Sequence, residues 1–115
     1  MRPKFQQPEE PKDAAGFNER GNRYSRNGVY QQAIEDYSKA IELDQNFAEA
    51  YFNRGISHYE EGRYQESIDD LTLAIELNPL DDNYFARRSL AYLFADQLDL
   101  AQADQDKCDE LRNTG

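Results

Sequence analysis

The residues able to do covalent chemistry are few. One histidine, His58, and one cysteine, Cys108, stand in a chain of 115 residues. A nucleophile needs a base beside it, and a metal needs a cluster of ligands at fixed spacing. Neither an HExxH nor a GxSxG pattern is present. Gly21, Gly28, Gly55 and Gly62 could in principle cradle a phosphate. A phosphate loop, however, lies at a strand-to-helix turn, and no strand-like alternation precedes these glycines. No cofactor or metal is therefore expected, and the chemistry that remains is recognition rather than catalysis.

The elements that must position any recognising residues follow from an internal repeat. Shifted by 34 residues, RGNRYSRNGVYQQAIEDYSKAIEL (20–43) falls on RGISHYEEGRYQESIDDLTLAIEL (54–77). A second shift reaches a more divergent copy, in which Phe17 and Tyr51 lead to Phe85, and Leu43 and Leu77 lead to Leu111. The copies are 14–47, 48–81 and 82–115, preceded by a leader, 1–13. The leader contains Pro3, Pro8 and Pro11 and is expected to be a flexible, partly extended tail. Each copy reads as two helices, near 14–27 and 30–44, 48–61 and 64–77, 82–95 and 98–112. Gly28 and Gly62 fall between the paired helices, where glycine takes the left-handed capping conformation. Pro79 follows the fourth helix, which it cannot extend.

This pattern resembles the tetratricopeptide repeat (TPR) family. The resemblance rests on the aromatics Phe17/Tyr51/Phe85, the glycines Gly21/Gly55, and Tyr24/His58/Tyr92. The small residues Ala33/Ser67/Ala101 and Ala40/Ala74/Cys108, and Pro79, complete it. It implies an all-α fold, a right-handed α-α superhelix of three helix-turn-helix repeats. In that reading Gly21 and Gly55 admit the partner helix closely, and His58 and Cys108 are packing residues. Copy three departs from the pattern at Ser89, Asp96 and Asn113.

In TPR arrays the first helices line a concave groove that binds proteins. By resemblance the groove here is lined by Asn18, Asn22, Phe52, Asn53, Ile56, Tyr59, Asn83, Arg87, Leu90 and Phe94. One TPR subclass grips the C-terminal carboxylates of heat-shock chaperones through lysines, asparagines and an arginine. Asn22, Asn53 and Arg87 match that clamp, while Asn18 and Asn83 stand where it has lysine. Three readings follow: an adaptor for an extended peptide of another protein, a structural or self-associating module, and a binder of chaperone tails through an incomplete clamp. The first is preferred.

Charge and composition narrow the partners. The formal net charge is −10, which disfavours a phosphate backbone and excludes nucleic acid as an expected partner. No apolar run approaches a membrane span, and a lone cysteine rules out an internal disulfide, so a cytoplasmic setting is expected. The first helices carry as many arginines as acids, so the acidic excess is assigned to the second helices and the groove is expected to be neutral. Ile34, Tyr37 and Ile41, and Ile68, Leu71 and Ile75, are expected to face the next repeat. Copy three has Gln102, Gln105 and Asp109 at the corresponding places, a polar end face that suits a terminal cap and a monomer.

Overall fold

A computed structural model describes residues 10–114. Six helices follow one another: α1 Ala14–Arg26, α2 Tyr30–Leu43, α3 Ala48–Glu60, α4 Tyr64–Leu77, α5 Asp82–Phe94 and α6 Leu98–Asn113. Among the described residues there is no strand. The helices stack as antiparallel pairs into a rod-like array of 64 × 27 × 23 Å. The fold is the all-α array of helix-turn-helix repeats that the sequence implies. The flexible-tail expectation for residues 1–9 lies outside the described residues. Within residues 10–13, Asp13 caps α1 by accepting the Gly16 N–H at 2.8 Å, and the exposed Glu10 lies 3.8 Å from Arg20.

Each helix pair turns through the same hydrogen-bonded cap. The N–H of Gly28 donates to Ser25 and that of Val29 to Tyr24, at 3.0 and 2.9 Å. Gly62 and Arg63 repeat this on Tyr59 and His58, and Asp96 and Gln97 on Leu93 and Tyr92. The turn requires a left-handed residue, with φ of 74° at Gly28, 76° at Gly62 and 62° at Asp96. A Cβ at Gly28 or Gly62 would meet nothing within 4 Å, so these glycines are present for backbone angle and not for space. Asp96 adopts the angle against the Cβ penalty that glycine escapes. Asp96→Gly is accordingly expected to stabilise the protein by roughly 0.5–1 kcal/mol. A rise in the urea midpoint at constant m-value is the check.

Gly21 and Gly55 are present for the opposite reason. A Cβ at Gly21 would lie 2.6 Å from the Tyr37 ring, and one at Gly55 would lie 3.1 Å from Leu71 Cγ. Tyr37 and Leu71 therefore lie over their own first helices, a correction to the expectation that they face the next repeat. Leu71 also reaches forward, since it clusters with Ile68 and with Ala91 of α5. In copy three the facing position is Gln105, which is exposed, and Ser89 fits where its counterparts are glycine. Its hydroxyl donates to the Ala101 carbonyl at 2.7 Å.

Candidate functional site: the concave face and the ladder behind it

The first helices are held in place by a ladder that a count of charge by helix does not reveal. Arg20, Arg54 and Arg88 each reach the aspartate 16 positions later, Asp36, Asp70 and Asp104. Every pair is bidentate, with Nε and Nη2 donating to the two carboxylate oxygens at 2.7–2.8 Å. The aspartate side chains are only 6–7% exposed. Hydrogen bonding to aspartate, the largest effect, raises the pKa of all three arginines. Each guanidinium also lies over an aromatic ring of its own helix: Phe17 and Tyr24, Tyr51, or Phe85 and Tyr92. The ladder crosses between repeats too. Arg54 Nη1 donates to Ser38 Oγ and Arg88 Nη1 to Thr72 Oγ1, both at 3.1 Å.

This corrects the expected charge balance. Three of the arginines assigned to the groove are turned toward the second helices, where they neutralise aspartates assigned to the outer face. The groove is consequently more acidic than its sequence count implies, and its carboxylates Glu19, Glu49 and Glu60 are all exposed. Arg87, next in sequence to Arg88, points the other way and is exposed, with no ion-pair partner among the described residues.

The groove residues fall into two sets. Ile56, Tyr59, Arg87 and Leu90 come together around one crevice between α3 and α5, floored by Ser67 and Leu71 of α4. As it stands the crevice is too narrow to admit a water molecule. Phe94 extends its wall: the ring meets Tyr59 edge-on at 5.7 Å and stacks on Tyr64 at 5.5 Å, yet remains 56% exposed. Ser67 and Leu71 were expected in the helix packing and not at the groove, because they lie on a second helix. The Ser67 hydroxyl is buried and has no hydrogen-bond partner among the described residues.

The amides form the second set, and they are already engaged. Asn53 Nδ2 donates to the Asn18 Oδ1 at 3.1 Å, and Asn18 is only 6% exposed. Tyr37 donates its O–H to Asn22 Oδ1 at 2.6 Å. Burial pushes the Tyr37 phenol up to about 12, so it stays a donor at neutral pH. Asn22 thus turns its amide oxygen to the protein and keeps its N–H groups for other acceptors. Phe52 does not line an open surface in the way expected, because its ring lies 4.8 Å from Tyr84 in the packing between α3 and α5. Asn83 is exposed in the first turn of α5, its backbone N–H bonded to Asp81 at 3.0 Å, and stands apart from both sets.

The two reactive side chains sit in the helix packing. His58 lies 3.8 Å from Asp70, and its buried Nδ1 has no hydrogen-bond partner among the described residues. Burial, the largest effect, lowers its pKa below the ordinary imidazole value. Cys108 is fully buried and its thiol is pushed up by desolvation, away from a reactive thiolate. Among the described residues no group of three or more His, Cys, Asp or Glu is arranged to hold a metal. None of the helices described is long and apolar enough to cross a membrane.

Comparison with known proteins agrees with this geometry. A family model described as TPR repeat matches residues 21–62, and one described as tetratricopeptide repeat matches residues 48–80. Among curated proteins none matches the sequence. Among solved structures, the second TPR of Spaghetti (RPAP3) bound to the HSP90 peptide SRMEEVD is 32% identical, with a TM-score of 0.84. That match covers 87% of this chain and 93% of the other. The second TPR domain of human RPAP3, in complex with the HSP70 peptide SGPTIEEVD, is 31% identical with a TM-score of 0.84, covering 89% and 85%. MamA shares the fold at 22% identity and a TM-score of 0.86, covering 89% of this chain and 60% of the other.

Proposed function

The chain belongs to the tetratricopeptide repeat family, and from that premise we propose that its concave face binds an extended peptide of another protein, one that presents an acidic group to Arg87. The observation that carries this reading is the α3–α5 crevice. It joins an unpaired cation, Arg87, to an apolar wall of Ile56, Tyr59, Leu90 and Phe94. Arg87 takes a carboxylate of the peptide, and the wall takes an apolar side chain near it. A crevice this narrow opens by turning the exposed ends of Leu90 and Phe94. The N–H groups of Asn22 add hydrogen bonds to the peptide backbone or terminus. Repulsion from Glu19, Glu49 and Glu60 keeps affinity modest and the salt dependence shallow.

A second reading, the chaperone-tail clamp, is favoured by two relatives whose bound peptides both end in EEVD. Against it stand Asn18 and Asn83 at the clamp's lysine places, since a neutral amide holds a carboxylate less strongly than an ammonium does. Asn18 is, moreover, committed to Asn53.

The test uses fluorescently labelled SRMEEVD, with a free or an amidated C-terminus. Arg87→Ala should weaken binding by about 1.5–3 kcal/mol, the range for a charge-assisted bond. Asp69→Ala, an exposed change on α4, should leave it alone. Asp70 cannot serve as that control, because it is buried in the ladder. Loss of binding on amidation would favour the clamp, and equal affinity for both termini would favour the side-chain reading. If Arg87→Ala binds as tightly as wild type, the crevice is not the site.

A further inference from the structure

We propose that the outer face of the middle repeat, around Leu73, Leu77 and Leu80, docks a basic amphipathic helix of a partner protein. Leucine recurs at the place of Leu77 in all three copies, as Leu43 and Leu111. Leu73 and Leu80, by contrast, break the repeat. The flanking copies have Lys39 and Lys107 where Leu73 stands, and Asn46 and Thr114 where Leu80 stands. Both leucines stay open to solvent, Leu73 at 40% and Leu80 at 76%. Leu77 lies one turn on from Leu73, and Leu80 follows in the turn between α4 and α5. A single exposed leucine is ordinary on a protein surface. Two polar places exchanged for leucine toward one end of one helix, in one repeat of three, make an apolar patch suited to a partner.

The charge around the patch selects that partner. In the flanking copies the lysine pairs with the glutamate three residues later, Lys39 with Glu42 at 3.9 Å and Lys107 with Glu110 at 3.4 Å. Leucine at 73 removes that lysine, and Glu76 is left exposed with no ion-pair partner among the described residues. Asp69, one turn before Leu73 on the same face, is exposed too and accepts the neighbouring Gln65 amide at 3.0 Å. Glu66 adds a third exposed carboxylate. Leucines set among unpaired carboxylates complement large apolar groups bordered by lysine or arginine. A cation of the occupant takes the place beside Glu76 that lysine holds in the flanking copies.

The helical form of the occupant follows from what α4 can offer. It has no sheet edge, so an extended segment would find no backbone partners there. A helix bonds its own backbone and packs its side-chain ridges against Leu73 and Leu77. A second copy of these 115 residues carries −10 of its own and would be repelled.

The probe is a labelled alanine-based helical peptide with leucines at i, i+4 and i+7 and lysines on either side of them. One control peptide has the leucines changed to alanine, and the other has the lysines changed to glutamine. The probe is expected to bind saturably, and both controls about tenfold more weakly or worse. Leu73→Lys with Leu80→Asn gives the middle repeat the residues of its neighbours and should weaken the probe about tenfold or more. The urea midpoint of that variant should match wild type, because the fold does not depend on either leucine. Asp69→Lys with Glu76→Lys should weaken the probe comparably. Arg87→Ala should leave it unchanged, which separates this face from the concave site. Amide shifts in the NMR spectrum should cluster on α4 and the turn after it. Equal binding of the probe and either control, insensitivity to the leucine changes, or shifts confined to α1, α3 and α5 would each overturn the proposal. A fall in the urea midpoint of Leu73→Lys with Leu80→Asn would also overturn it, by making the leucines packing residues. So would self-association of the wild type abolished by the same change, which would give the face to a second copy.

Discussion

Asp70→Ala is expected to lower the unfolding free energy by about 3–5 kcal/mol, the cost of leaving a buried charge without its partner. Arg54 would keep only the Ser38 hydroxyl as an acceptor, with its side chain 22% exposed. The damage should spread beyond the middle repeat. Arg54 joins α3 to both α2 and α4, so releasing it loosens two interfaces at once. Urea unfolding followed by circular dichroism measures the loss, and Asp69→Ala, exposed one position away, should stay within about 0.5 kcal/mol of wild type. Replacing both partners, Arg54→Met with Asp70→Leu, should recover much of the stability, because the penalty comes from an unpaired charge. A single-variant loss no greater than that of Asp69→Ala would remove the ladder from the account of how the helices are held.

Gly21→Ala carries the second large effect, roughly 2–3 kcal/mol of destabilisation from overpacking. The new Cβ would sit 2.6 and 2.8 Å from two carbons of the Tyr37 ring. That ring cannot swing aside, since it is 1% exposed and its O–H is fixed to Asn22. Gly55→Ala offers the internal comparison. Its nearest contact is 3.1 Å, to a branched aliphatic carbon of Leu71. A small shift there is offset by alanine's helix preference, worth up to about 1 kcal/mol, so the net change should be slight. Tyr37→Leu should rescue Gly21→Ala by copying the Leu71 arrangement. Equal costs at Gly21 and Gly55 would mean that close approach to the ring is not what sets this position.

These two predictions mark the border of what the sequence makes legible. Helix pairing, turn positions and the roles of the glycines follow from local rules: a 34-residue period, apolar residues at helical spacing, and backbone angles that glycine alone adopts cheaply. The ladder was illegible to the same rules because it joins residues on different helices. Arg87 and Arg88 are adjacent, and a count of charge by helix treats them alike. Successive helical residues point about 100° apart, so one is exposed and the other clamped to Asp104. A usable signal did exist: Arg20/54/88 and Asp36/70/104 recur unchanged in all three copies, where most positions vary. Of the ten groove residues, four proved to line one crevice with Phe94 beside it, whereas Phe52 and Asn18 were taken up by packing and hydrogen bonding between repeats. Spacing alone cannot separate a face that meets solvent from one that meets the neighbouring repeat.

The backward reach of each ladder arginine bears on how such an array can lengthen. The donor arginine stands at the same place in every 34-residue unit, and the hydroxyl that receives the next donor, Ser38 or Thr72, stands at a second fixed place in the first two. One unit thus encodes both halves of the joint. A tandem duplication of the middle segment would arrive with its donor facing an existing acceptor and its acceptor facing an existing donor. Growth by copying would then require no simultaneous change in the flanking units, and the seam would be sound in the first generation that carried it.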